Sequence, residues 1–270
     1  IHVNKFTFDS KFVLQCKYKM GGEEMAENIL VIHGMRKGEQ NNIIYDFVQQ
    51  LMRSKHRHVH IAFLESEKRN LKVVIDNLIS HGYFEFNIIP VLLFPAKHYL
   101  YDIPSVLKSL KNAHPHIINN IAQPLGTHRE MPNIINRRIA KALVTAEHVN
   151  RIILIAHGSS CYKEPDYALK KLMNDCNGFN IPIQMMTVYG DYSYQLHIEQ
   201  YLNKGEGILI VPVFLYNGFL VKKIKKEISQ LNRVSRVYYS DVINFNNELL
   251  VIIEDRIQEI EELANVSYST

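Results

Sequence analysis

Cysteine is scarce in this chain of 270 residues: Cys16, Cys161 and Cys176 are odd in number and form no C-x-x-C pair. That excludes a disulfide scaffold, a zinc ribbon and a cysteine-ligated iron–sulfur cluster, and it fits a reducing cytosol. No apolar run approaches the roughly 20 residues a membrane helix needs, so no membrane association is expected. The formal charge of +4 is far from the dense Lys/Arg stripe of a nucleic-acid binder, though it favours acidic small molecules over cationic ones. Phosphate-cradling loops are missing too, since Gly34-Met-Arg-Lys-Gly38 does not have the required spacing, and no nucleotide cofactor is expected. Residues 1–28 lack a continuous apolar h-region and a small-residue cleavage site; they are expected to form a poorly ordered extension, with Met20 or Met25 available as a natural start.

What is present is an ordinary soluble α/β composition, 47% hydrophobic and 21% charged, with 13 histidines as the first hint of metal work. Short apolar runs alternate with segments of helical spacing, the pattern of βαβ units around a parallel sheet. Ile29–Ile32, Val59–Leu64 and Asn87–Phe94 are expected strands. Asn42–Lys55, Leu71–Ile79, Ile103–Leu110 and Met131–Ala146 are expected helices, the last with Pro132 in its first turn.

The second half repeats this plan. Arg151 to Gly158 restates Ile29 to Gly34 with His157 in the place of His33, and Ile208 to Tyr216 restates Asn87 to Phe94 with Pro212 in the place of Pro90. Ile183–Val188 matches Val59–Leu64, and Asp255-Arg256-Ile257 matches Arg137-Arg138-Ile139. The expected fold is therefore α/β with two similar lobes, residues 29–148 and 149–270, each a parallel sheet flanked by helices and related by internal duplication. Strand C-termini should face a cleft between them, where ligands bind in such sheets.

Each of the first three strands delivers one candidate to that edge: His33 before Gly34, Glu65 after Leu64, and His98 after Phe94-Pro-Ala-Lys97. Neutral imidazoles hold Fe(II), Co(II) or Ni(II) without making them inert, and a carboxylate beside them accepts protons. The duplication acts as an internal control. Position 65 becomes Tyr189 and position 98 becomes Leu220, so only the first lobe keeps the complete set, and His157 reads as a vestige.

These strings resemble the sirohydrochlorin cobaltochelatase and ferrochelatase family in its long, two-lobe form. The resemblance rests on Ile32-His33-Gly34-Met35-Arg36, Ala62-Phe63-Leu64-Glu65, Pro90 to Pro104 with its Phe-x-x-x-His-x-x-x-Asp-Ile-Pro string, and Pro124-Leu-Gly-Thr-His128. It runs from Ile29 to Ile257. It implies a tetrapyrrole partner, sirohydrochlorin, held between the lobes, with His33 and His98 handling the metal and Glu65 beside them as a catalytic group. The divalent metal is a substrate, Fe(II) first and Co(II) or Ni(II) as alternatives; cobalt would serve cobalamin synthesis, and a non-catalytic tetrapyrrole or metal binder is the reading of another class. Arg36, Lys37, Lys97, His128 and Arg129 stand beside these motifs and are candidates for the substrate's carboxylate arms. Two departures bear on substrate contacts and metal choice: Met35 replaces the usual Ser, and Lys68-Arg69 stands where an acidic residue and Pro are usual. One chain holds both lobes, so a monomer suffices to build the cleft. His56, His58 and His60 read as a solvated or edge face, His114 and His116 as loop residues, and Lys222, Lys223, Lys225 and Lys226 as the polar side of a helix.

Overall fold

The computed structural model describes residues 26–34, 39–54, 58–231 and 234–267. Most of the expected extension, together with Met35, Arg36, Lys37 and His56, lies outside them. No helix among the described residues is long and apolar enough to cross a membrane.

Two four-stranded parallel sheets form the frame. In the first, β1 (Glu27–Ile32), β2 (His60–Phe63), β3 (Glu85–Val91) and β4 (Ile118–Ile121) lie in the order β2-β1-β3-β4. In the second, β5 (Val149–Gly158), β6 (Ile183–Tyr189), β7 (Gly207–Pro212) and β8 (Val237–Tyr239) repeat it as β6-β5-β7-β8. A parallel sheet covered on both faces needs near-continuous apolar strands, and β1 shows why. Ile29 and Val31 fill one core beneath the sheet while Leu30 and Ile32 fill another above it.

The helices of the first half are α1 (Glu39–Ser54), α2 (Leu71–Ser80), α3 (Ile103–Ala113) and α4 (Met131–Leu143). The second half has α5 (Glu164–Asp175), the short α6 (Tyr194–His197) and α7 (Glu199–Leu202), α8 (Phe219–Gln230) and the long α9 (Asn247–Ser267). Asn70 caps α2 by accepting from the Val73 amide at 3.0 Å, and Pro132 sits in the first turn of α4 as expected.

The last helix of each half crosses to the other sheet. α9 packs on β3 and β4, and α4 packs on β7. One apolar core therefore runs through both lobes, joining Leu30 and Ile32 to Leu154 and Ala156 through Ile135 and Ile139 of α4 and Ile253 and Ile257 of α9. Two arginines related by the duplication pin the exchange. Arg138 donates to the Val242 and Ile243 carbonyls at 3.2 and 2.9 Å and pairs with Glu248 at 2.7 Å. Arg256, buried, donates to the Pro124 carbonyl at 3.2 Å and to the Thr127 hydroxyl at 3.0 Å.

Some boundaries differ from expectation. β3 stops at Val91 and β7 at Pro212, earlier than the apolar runs that continue them; beyond them the Leu92 and Leu93 carbonyls accept from the Leu125 and Gly126 amides at 2.8 Å, and the Phe214 carbonyl accepts from the Ile243 amide at 3.0 Å. Of the four edge strands, β4 and β8 were not foreseen. His60 does not belong to a solvated face: it is 8% exposed, and its Nε2 lies 2.9 Å from Glu27 Oε2. Its strand is at the sheet edge, paired with β1 on its other side. The four lysines of α8 lie away from its buried stripe of Val221, Ile224 and Ile228.

Candidate metal-handling site

The C-terminal ends of β1 and β2 place His33 and Glu65 side by side, the Glu65 amide donating to the His33 carbonyl at 3.1 Å. Gly34 makes this possible. Its φ of +68° lies in the left-handed region, and a Cβ there would stand 2.8 Å from the Phe63 Cβ. His98 arrives differently. After β3, the chain turns through Pro95 into one π-helical turn, His98–Asp102, closed by the Ile103 amide donating to the His98 carbonyl. Such wide turns are rare and concentrate at functional sites.

The result is a cluster in which one donor atom each from His33, Glu65 and His98 lies within 4.8 Å of the others. The two imidazoles meet edge to face with ring centres 4.8 Å apart. Both tautomers are set by their partners, because each Nδ1 faces an oxygen that can only accept. His33 Nδ1–H donates to the Gly34 carbonyl at 3.0 Å, and His98 Nδ1–H donates to Asp102 Oδ2 at 2.7 Å. Both Nε2 lone pairs are thereby left as donors to a cation. Burial and the neighbouring His33 hold the His98 imidazole below the usual histidine range, against the opposing pull of Asp102 and Glu65. A neutral, metal-ready ring is the outcome.

Asp102 is the residue that the sequence reading left without a role, although it stood in the quoted string. A carboxylate four residues after a histidine at a helix start is the signal that could have found it. It also holds Lys97, whose Nζ is 3.8 Å from Oδ1.

The five candidates for the substrate arms part company. Lys97 and Arg129 are exposed, Arg129 with a loose pairing to Asp255 at 3.7 Å. Arg36 and Lys37 lie outside the described residues. His128 is not an accessible arm-binding group: it is 3% exposed, its Nδ1 accepts from the Glu130 amide at 3.2 Å, and its Nε2 is turned to Asp255 of α9 at 3.4 Å. Its place at the contact between α9 and the first lobe explains the burial. Of the two departures, Lys68 is exposed and Arg69 stacks on the Tyr45 ring with its guanidinium carbon 4.0 Å from the ring centre.

In the second lobe, His157 copies the backbone of His33. Gly158 has φ +68°, and His157 Nδ1–H donates to the Gly158 carbonyl at 2.8 Å. Its neighbour is the Tyr189 ring at 5.0 Å, and Leu220 turns into the apolar core under β7. The second-lobe hollow of about 530 Å³ lined by Lys170, Met185, Tyr192 and Gln200 contains none of the three donors.

Comparison with known proteins follows the same lines. The CbiX family model matches residues 27–142 and again residues 151–260. The sirohydrochlorin cobaltochelatase of Priestia megaterium is 24% identical over 254 residues, covering 89% of this chain and 81% of that protein. The sirohydrochlorin ferrochelatase of Bacillus subtilis is 25% identical over 212 residues, covering 74% of this chain and 77% of that protein. Among solved structures, SirB from Bacillus subtilis with Fe3+ superposes with a TM-score of 0.74 at 22% identity, over 89% of this chain and 98% of that one. The cobalt complex of SirB from Bacillus subtilis subspecies spizizenii gives 0.68 at 20% identity, over 88% and 96%.

Proposed function

Because the chain belongs to the CbiX family, we propose that it is a metal chelatase that inserts Fe(II) into sirohydrochlorin to give sirohaem. The observation that carries this reading is the set of His33, Glu65 and His98, with one ring nitrogen from each histidine and one carboxylate oxygen within 4.8 Å of one another. Three donors, with no fourth grouped with them among the described residues, make a transfer site, because a structural site would close the metal's coordination. His33 and His98 take the incoming ion and strip part of its water. The ring brings four pyrrole nitrogens to the opposite side, two of them carrying protons. As metal–nitrogen bonds form, two N–H bonds break. Glu65 accepts one proton, and the second leaves to the imidazole that the departing metal frees, or to water. Holding ion and ring together supplies the proximity that the uncatalysed reaction lacks. The exposed cations Lys97 and Arg129 fit the carboxylate arms of the ring.

Cobaltochelatase is the second reading, favoured by the near-equal similarity to relatives of both kinds. Fe(II) and Co(II) accept the same imidazoles, and selectivity follows supply and geometry.

The deciding experiment is an anaerobic absorbance assay of the purified protein with sirohydrochlorin and Fe(II), Co(II) or Ni(II) added separately. Fastest insertion with Fe(II) is expected, and fastest insertion with Co(II) selects the second reading. Tight ring binding with no acceleration by any metal overturns both and leaves a carrier.

A further inference from the structure

At the opposite end of the first sheet stands a second set of the same chemistry. Glu27 opens β1, His60 opens β2, and His58 lies two residues before it. One donor atom from each of the three falls within 4.8 Å of the others. His60 Nε2 is 2.9 Å from Glu27 Oε2, His58 Nδ1 is 3.9 Å from the same oxygen, and the imidazole rings meet edge to face at 4.9 Å. The burial is graded. His60 is 8% exposed at its side chain and Glu27 19%, while His58 is 48% exposed and closes the solvent side.

We propose that Glu27, His58 and His60 form a second binding site for a divalent transition metal, separate from the His33–Glu65–His98 set. Two imidazoles and a carboxylate suit Fe(II), Co(II), Ni(II) or Zn(II), not the hard oxygen-seeking cations. A cation entering here takes the place of the proton that His60 Nε2 donates to Glu27 Oε2; the neutral ring carries that proton at Nδ1 instead, which frees the Nε2 lone pair for the metal. The fold does not call for such a set. The duplication places Arg151, Pro182 and Gln184 at the corresponding positions of the second sheet, where Arg151 pairs with Glu206 at 3.2 Å and lies over the Tyr201 ring. Nor can one ion serve both sites. β1 runs from one to the other, and its six residues at about 3.3 Å each separate them by roughly 20 Å. An ion at this end ties the starts of β1 and β2 together and leaves the other set open for turnover.

The test is Co(II) titration of the full chain, read by absorbance and by equilibrium dialysis, and it does not depend on the proposed insertion chemistry. The His33→Ala/His98→Ala variant is expected to keep one equivalent of Co(II) and to melt at a higher temperature with Co(II) than with a chelator. Adding His58→Ala, an exposed change that leaves the buried pair intact, should weaken that equivalent at least tenfold and remove the thermal shift. Glu27→Gln should do the same. No bound equivalent in the His33→Ala/His98→Ala variant overturns the proposal, as does an equivalent whose affinity is unchanged by both His58→Ala and Glu27→Gln.

Discussion

Asp102 shows how much of the candidate site rests on a group outside the donor set itself. Its carboxylate fixes the His98 ring through one short hydrogen bond at Nδ1 and leaves the Nε2 lone pair for a metal. Partners of this kind change metal affinity by about 10–100-fold when lost. Asp102→Ala is therefore expected to raise the KM for the metal by that order while changing the KM for sirohydrochlorin little; an equal rise in both would assign Asp102 to ring binding. His33→Ala and His98→Ala remove a donor outright, and each should lower the insertion rate by at least a hundredfold with an unchanged circular dichroism spectrum. Near-normal turnover of either variant would remove that residue from the site. His33 and Glu65 were legible in the sequence because each stands just past a buried strand, and His98 because it stands in the loop between the third apolar run and the next helix. His128 was misread because its burial comes from a helix more than a hundred residues later, and local sequence carries no trace of that contact.

Strands buried on both faces announce themselves, and β1, β2, β3, β5, β6 and β7 were all visible as apolar runs. The edge strands β4 and β8 were not. β4 reads Ile-Asn-Asn-Ile, and its polar middle is satisfied only in three dimensions, where Asn120 donates to Asn87 at 3.3 Å and Asn87 donates to Asn28 at 3.2 Å. The crossing of α4 and α9 was equally hidden, because amphipathic spacing says that a helix has a buried face but not which sheet covers it. Arg256 holds α9 against the Pro124–Thr127 turn, and a buried arginine with these bonds is costly to remove. Arg256→Met should lower stability by about 2–4 kcal/mol, read as a shift of the urea midpoint with unchanged slope. His128 sits at the same contact, and its burial beside Arg256 depresses the imidazole below the ordinary value. The folded state therefore binds a proton less readily than the unfolded chain, and stability falls as pH drops below the unfolded value of about 6.5. His128→Gln should flatten that decline in urea midpoints measured between pH 7.5 and 5.5, and an unchanged slope would assign the loss to other histidines.

At the scale of the molecule, the duplication has kept the frame twice and the donor set once. His157 retains the turn and the hydrogen bond of His33, yet Tyr189 and Leu220 stand where Glu65 and His98 would be. The halves also depend on each other for closure. α9 contributes Leu249, Leu250, Ile252, Ile253, Ile257 and Ile260, all buried, to the common core. At roughly 1.5–3 kcal/mol for each such side chain, their removal exceeds or rivals the ~5–15 kcal/mol that holds a typical domain folded. A chain ended after Ser240 is thus expected to lose cooperative unfolding and to bind a hydrophobic dye; a sharp transition in that truncated chain would contradict the dependence. The crossing of α9 carries a further consequence for synthesis. A ribosome adds about 5–20 residues per second, so the first sheet, complete in sequence by Ile121, waits on the order of ten seconds before the helix that covers it has been made. During that interval the upper face of β3 is an open apolar surface, and a holding chaperone or an unwanted partner can claim it before α9 does.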